Sequence, residues 1–339
     1  MMPWLLFVFI GFASLLLTGV LRRYALARGL MDMPNERSSH SVPTPHGGGL
    51  AIVLSFLGGL VALKIAGFLP VSLFWALFGA GLWTAAIGWL DDILNLPAGL
   101  RLAGHFAGAA WALTWLGGLP PLPVIGLEVN LGVAGHLLAA VYLVWLLNLY
   151  NFMDGINGIA GIQAVTVCAG AAVLYGFFGA ETGGMWMAPV LLAAAAAGFL
   201  FWNFPTARIF MGDVGSGFLG MVLGVMSIQA AWWVPELFWG WVVLMGAFVV
   251  DATVTLLRRA WRGERLYEAH CSHAYQQAAS CYGSHALVAI VFGMINLLWL
   301  LPIAVLIAAG LLAGVMGVII GYAPLVAAAI WFRAGEGEV

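Results

Sequence analysis

The sequence predicts an all-α, polytopic membrane protein, and three observations carry that reading. Of 339 residues, 63% are hydrophobic and only 8% are charged, with a mean hydropathy of +1.04. Apolar runs of about 20 residues recur along the whole chain, each long enough to cross a bilayer as a helix. The eleven arginines also all fall toward one of the two faces that those runs would connect.

The runs give about eleven spans: 3–21, 47–67, 71–90, 101–118, 135–152, 159–179, 185–203, 214–232, 236–257, 286–308 and 311–332. The first run lacks a basic leader and an evident cleavage site, so it reads as a span. Connections 22–45, 91–100, 152–158, 204–213 and 258–285, with the tail after Phe332, lie on one face, and every Arg falls there, Arg101 at the first residue of its span. Loops 22–46, 91–100, 148–158, 204–217 and 258–285 would form a site on that face. Lys64, Glu128, Glu181 and Glu236 lie toward the other. Basic loops stay cytoplasmic, which puts the amino terminus outside and the carboxyl terminus inside. No hydrophilic block is large enough to fold alone, so residues 1–339 form a single membrane domain. Cys168, Cys271 and Cys281 form no CxxC pair. Segment 120–133 reads as a small hairpin or a surface loop.

The polar residues follow the same sidedness. Segment 148–158, NLYNFMDGING, places Asn148, Asn151, Asp154 and Asn157 at every third position, in a chain where unpaired polar groups in hydrocarbon cost several kcal/mol. Asn148 and Asn151 share a helix face, and Gly155 and Gly158 allow a sharp turn. Asp91 and Asp92 end the third span. Carboxylates there suit Mg²⁺ or simply stop the helix in water. In FPTARIFMGDVGSG, Asp213 lies between Gly212 and Gly215 with Arg208 upstream, at the start of the eighth span. A helix N-terminus and close-approaching backbone suit a phosphate, while the carboxylate suits a hard cation. The blander reading is a capped glycine turn. His40 and His46 lie in RSSHSVPTPHGGG, whose glycines also suit helix packing. The loop 258–285 has four Arg, including Arg265, then His270 and His273. It suits phosphate and sugar recognition, lipid headgroups, or a zinc site using His270, Cys271 or Cys281, His273 and His285. Asp251 alone sits inside a span.

This combination resembles the polyprenyl-phosphate N-acetylhexosamine-1-phosphate transferases, also called glycosyltransferase family 4. The resemblance rests on Asp91-Asp92, on Asn148-x-x-Asn151-x-x-Asp154-Gly155, on Phe210-Met211-Gly212-Asp213-x-Gly215-Ser216 and on a His-containing last large loop. The HGGG and HxxHAYQ segments look closest to the O-antigen- and lipopolysaccharide-initiating branch. Where relatives commonly show DGxDG, this chain has Asn157 in place of the second carboxylate.

The resemblance implies transfer of N-acetylhexosamine 1-phosphate from a UDP-sugar to polyprenyl (undecaprenyl) phosphate at the cytoplasmic face of a bacterial inner membrane, releasing UMP. It implies Mg²⁺, with Mn²⁺ as substitute, held by Asp213 with Asp92 or Asp154. Asp91 would orient or deprotonate the acceptor, so Asp91, Asp92, Asp154 and Asp213 form the catalytic set. His40, His46, Asn148, Asn151, Asn157, Arg208, Arg265, His270 and His273 would bind substrate. Membrane lipid is a partner, nucleic acid is not, and a homodimer is left open. The rival class is a polyprenyl-lipid transporter or flippase, but transporters place charge near the midplane, whereas here it gathers at helix ends.

Overall fold

The computed structural model describes residues 3–34, 42–178, 183–264 and 270–336. It is built from helices: α1 (Pro3–Arg28), α2 (Gly49–Ile65), α3 (Val71–Leu94), α4 (Ala98–Leu116), α5 (Gly132–Phe152), α6 (Ile159–Gly176), α7 (Met187–Asn203), α8 (Asp213–Trp233), α9 (Pro235–Leu244), α10 (Gly246–Trp261), α11 (Ala274–Tyr282), α12 (His285–Ile295), α13 (Leu301–Ala308) and α14 (Gly314–Trp331). Each expected span overlaps one of these helices or a consecutive pair. Among the described residues, seven helices are long and apolar enough to cross a membrane, or eight if α9 and α10 together make one span. The protein is therefore an all-α, multi-pass membrane protein.

Stretch 236–257, expected as one span, is broken: α9 and α10 meet at Met245 with a bend of 67°. A second irregularity is a π-helical turn, Asn296–Leu300, joining α12 to α13. There the Asn296 amide donates to Gln163 Oε1 at 2.6 Å and Thr166 Oγ1 at 2.8 Å on α6, which answers the cost of an amide among apolar helices.

Helix α8 is the axis of the molecule. Its apolar window is wholly buried, whereas that of α14 is 17% buried. Glycines make the enclosure tight. A Cβ on Gly220 would lie 2.4 Å from the Leu146 carbonyl oxygen of α5, and one on Gly49 of α2 would lie 2.5 Å from Gly215 Cα. Such backbone-to-backbone contact is how small residues draw membrane helices together.

Two short antiparallel strand pairs complete the described residues. β1 (Met31–Asp32) pairs antiparallel with β2 (Thr44–Pro45), and β3 (Leu122–Val124) with β4 (Leu127–Val129). The second resolves segment 120–133 as a hairpin, held to α9 by Trp239 Nε1 donating to Pro123 O at 2.9 Å. The first continues into the loop before α8. Phe210 N donates to Pro45 O (2.8 Å), while Gly48 N and Gly49 N donate to Phe210 O and Met211 O (both 2.9 Å). Two loops distant in sequence are thereby woven into one wall.

Candidate active site

The ends of α3, α5 and α8 and the loops beside them enclose a cavity of about 640 Å³. Asp91 and Asp92 reach it from the last turn of α3, which Asn95 closes in a left-handed conformation (φ 49°). Asp91 is fully engaged: one oxygen accepts from Leu96 N at 2.8 Å, and the other pairs with the Arg101 guanidinium of α4. Asp92 lies against the opening of α8, its carboxylate facing the backbone N–H groups of Asp213 and Val214. A carboxylate there complements the positive end of the helix.

The loop between α5 and α6 contributes Asp154, Gly155, Ile156 and Asn157. Gly158 turns it back with φ 78°, and its N–H donates to Asn203 Oδ1 at 2.8 Å. The same Asn203 amide donates to Ile209 O at 2.9 Å, so one buried side chain ties the Asp154 loop to the Asp213 loop. Asn151 donates to Ser216 Oγ at 3.2 Å and faces Asp213. Asp154 keeps some surface open to the cavity but lies deep beneath protein atoms. That enclosure first, and the negative charge of Asp213 second, push its carboxyl well above the usual carboxylate range.

The donor set fits Mg²⁺. Asp92, Asp154 and Asp213 are hard oxygen donors on one cavity wall. Among the described residues no three His, Cys, Asp or Glu side chains converge into a ready-made cage. Mg²⁺ is usually held by one or two carboxylates, waters and substrate phosphates, so a cage is not required. A zinc site needs three or four converging protein ligands, and the His270–His285 segment does not supply them among the described residues.

Of the residues expected at a site, Asp91, Asp92, Asp154, Asp213, His46, Asn151 and Asn157 line this cavity. Asn148 lies in an adjoining space of about 180 Å³ with Arg101 and His105, and its amide donates to Val144 O at 2.7 Å. Arg208 is not brought in. It is exposed and rests over the Trp202 ring at 5.8 Å, away from the cavity wall. His270 and His273 are not on the wall either. Their rings stack at 4.8 Å, and His273 Nδ1 lies 3.2 Å from Asp251 Oδ1 on α10. They do not share a helical face, because α11 begins only after His273. Burial, the neighbouring His273 and Arg259 hold His270 down to about 3. His40 and Arg265 lie outside the described residues.

The cavity also takes Asp32, Asn95, Arg101 and Asn203, which the sequence did not single out as site residues, with Ser216 and Gln276, named only inside motifs, and His285, named only for a zinc site. Arg101 carried a signal only as one of the sided arginines. Gln276 carried one only as the end of the HxxHAYQ segment.

The profile of glycosyl transferase family 4 matches residues 74–231, the stretch from α3 through α8 that supplies Asp91, Asp92, Asp154 and Asp213. A decaprenyl-phosphate N-acetylglucosaminephosphotransferase of Mycobacterium tuberculosis (strain H37Rv) is 28% identical over 308 residues, 81% of this chain and 75% of that protein. A probable undecaprenyl-phosphate N-acetylglucosaminyl 1-phosphate transferase of Bacillus subtilis is 26% identical over 301 residues, 86% of this chain and 81% of that protein. A phospho-N-acetylmuramoyl-pentapeptide-transferase of Moorella thermoacetica is 35% identical over 162 residues, 43% of this chain and 49% of that protein.

Proposed function

Since the chain belongs to glycosyl transferase family 4, we propose that it is a membrane transferase moving an N-acetylhexosamine 1-phosphate from its UDP-sugar to polyprenyl phosphate, with UMP released. The observation that carries the reading is the convergence of Asp92, Asp154, Asp213 and Arg101 on one cavity at the ends of α3, α4, α5 and α8. A diphosphate donor and a phosphate acceptor repel each other. A site that joins them needs anchored cationic donors and ligands for a cation.

The acceptor phosphate has a second pKa near ~6, so it is largely dianionic at neutral pH and needs little help in losing a proton. Arg101, aimed by its pairing with Asp91, orients that phosphate toward the donor. Asp213, with Asp154 or Asp92, would hold Mg²⁺, which supplies charge neutralisation on the diphosphate. Asn151 and Asn157 hold the donor's polar groups, while the first backbone N–H groups of α8 hold the Asp92 carboxylate in place. Attack by a lipid phosphate oxygen on the β-phosphorus forms one phosphoanhydride and breaks another, with UMP leaving. The energies of the two bonds match, so the reaction runs both ways.

The sided arginines support a cytoplasmic site, an external amino terminus and a cytoplasmic carboxyl terminus in a bacterial inner membrane. The HGGG and HxxHAYQ segments support a role in starting O-antigen or a related envelope glycan. The test uses purified protein, undecaprenyl phosphate, Mg²⁺ and a panel of UDP-N-acetyl sugars labelled at the β-phosphate. The label enters the lipid fraction, and excess UMP returns it to the nucleotide sugar. Label left in released UDP, with sugar alone on the lipid, would overturn the proposal.

A further inference from the structure

Asp251 is the buried carboxylate that the proposed reaction leaves without a task. It sits on α10, just after the break from α9, and is 4% exposed. Four donors converge on it. Ala274 N lies 3.0 Å from Oδ1 and Tyr275 N lies 2.9 Å from Oδ2, so the two oxygens clamp the first turn of α11. Thr255 Oγ1, one turn along α10, and His273 Nδ1 each lie 3.2 Å from Oδ1. With both oxygens accepting backbone N–H groups, the carboxylate has an acceptor's role toward the imidazole, and the nitrogen facing it must carry the hydrogen.

The clamped helix leads to the cavity. His273 N donates to Gln276 Oε1 at 3.2 Å, and Gln276 lines the cavity. Tyr275 Oη donates to Phe152 O at 3.0 Å, two residues before Asp154. Gly155 lies so close to that hydroxyl that a Cβ would stand 2.1 Å from it. His273 itself is 1% exposed, and its Nε2 has no hydrogen-bond partner among the described residues.

We infer that Asp251 is a positioning residue: it fixes His273 as the Nδ1-protonated tautomer and, with it, seats α11 so that Gln276 and Tyr275 are held against the Asp154 loop. Its kinetic consequence rests on the proposed transferase reading; its structural consequence does not. Asp251 touches no substrate and works through His273. Among the described residues, the charged and titratable groups around the two stacked rings include Asp251 and Arg259 of α10 and Cys271 between the two histidines, with Tyr275 of α11 flanking His273 at 5.6 Å.

The structural arm is solid-state NMR of the full-length protein in lipid, with ¹⁵N-histidine, where the His273→Gln spectrum identifies the His273 signals among seven histidines. In the wild type, Nδ1 is protonated and Nε2 is bare; in Asp251→Asn that pattern is lost, because an amide can donate to Nδ1. A wild-type His273 bare at Nδ1 overturns the inference, and this arm stands even if Asp251→Asn fails to fold or no substrate is turned over.

The kinetic arm measures UMP release. Asp251→Asn lowers kcat by about 10- to 100-fold, the scale of a misplaced reacting group. In a His273→Gln background the same change adds no more than about 2-fold, since two residues acting as one unit are not additive. A full additive loss means that Asp251 acts independently of His273 and overturns the inference. Absence of turnover in the wild type counts against the transferase reading alone.

Discussion

Two groups of buried carboxylates flank α11, and the protein uses them in opposite ways. Asp251 is surrounded by donors: two backbone N–H groups, a hydroxyl and an imidazole. Asp154 and Asp213 line the same cavity, and the negative charge of Asp213 adds to the burial that already disfavours the Asp154 carboxylate. Asp91 stands between these cases, buried and neutralised by Arg101. The difference teaches that a carboxylate's donors, rather than its burial, separate framework from chemistry. A framework carboxylate is satisfied by its own protein, whereas a cavity carboxylate awaits charge from elsewhere.

The largest effect should come from removing charge where it is unsatisfied. Asp213→Asn is expected to lower UMP release by at least about 100-fold, the scale of losing a group that serves the transition state. The variant should still insert and fold, with a melting temperature no lower than that of the wild type. Near-normal turnover would erase the distinction drawn between the two carboxylate groups.

Asp154→Asn sharpens the contrast, because activity and stability should move apart. Turnover falls by about 10- to 100-fold, while the ligand-free protein becomes more stable. The sign follows from the raised carboxyl: below the unfolded pKa of about 3.9 both states are protonated and nothing is lost. As pH rises beyond that, the unfolded chain releases its proton more readily, so the wild type loses stability relative to the amide variant. Tryptophan fluorescence melts at pH 5 and pH 8 should show the gap widening at pH 8, and saturating Mg²⁺ should narrow it. A wild type steadier than the variant at pH 8 without metal would contradict the electrostatics.

Tyr275→Phe tests the framework side and should have the smallest effect. It deletes one hydrogen bond to Phe152 O, a loss of about 1 kcal/mol, or about 5-fold in turnover if all of it falls on the seating of the Asp154 loop. An effect larger than that of Asp154→Asn would make the buttress more important than the carboxylate it supports.

Hydropathy made the helices legible, and three acidic motifs made the cavity legible, because each put a charge at the end of an apolar run. What stayed hidden depended on contacts across the chain. Nothing local in 236–257 announces the 67° bend, which falls at Met245-Gly246 inside an apolar stretch. Asn203 reads as an ordinary helix end, yet it joins two loops of the site. Arg101 looked like one more membrane-surface charge until α4 folded against Asp91. His270 and His273 were read through helical spacing, but the helix starts at Ala274, after both of them, and Asp251, distant in sequence, holds His273 off the cavity wall. Arg208 followed its aromatic neighbours Phe201 and Trp202 instead of the glycine loop.

The enclosure of α8, all but Trp232 and Trp233 at its far end, bears on how the chain is made. A helix whose apolar stretch is covered by protein need not be greasy enough to enter the bilayer unaided, and α8 carries Asp213, Ser216, Ser227 and Gln229. Of the helices packed on it, α2, α3, α4, α5 and α7 precede it in the sequence and α9 follows it. By the time the ribosome delivers α8, a berth lined by those helices can already be waiting, and the segment can pass from the insertion machinery into protein. Its polar side chains then need no sojourn in hydrocarbon, and Asp213 arrives after the segments that carry Asp91, Asp92, Arg101 and Asp154, and ahead of the one that brings Gln276.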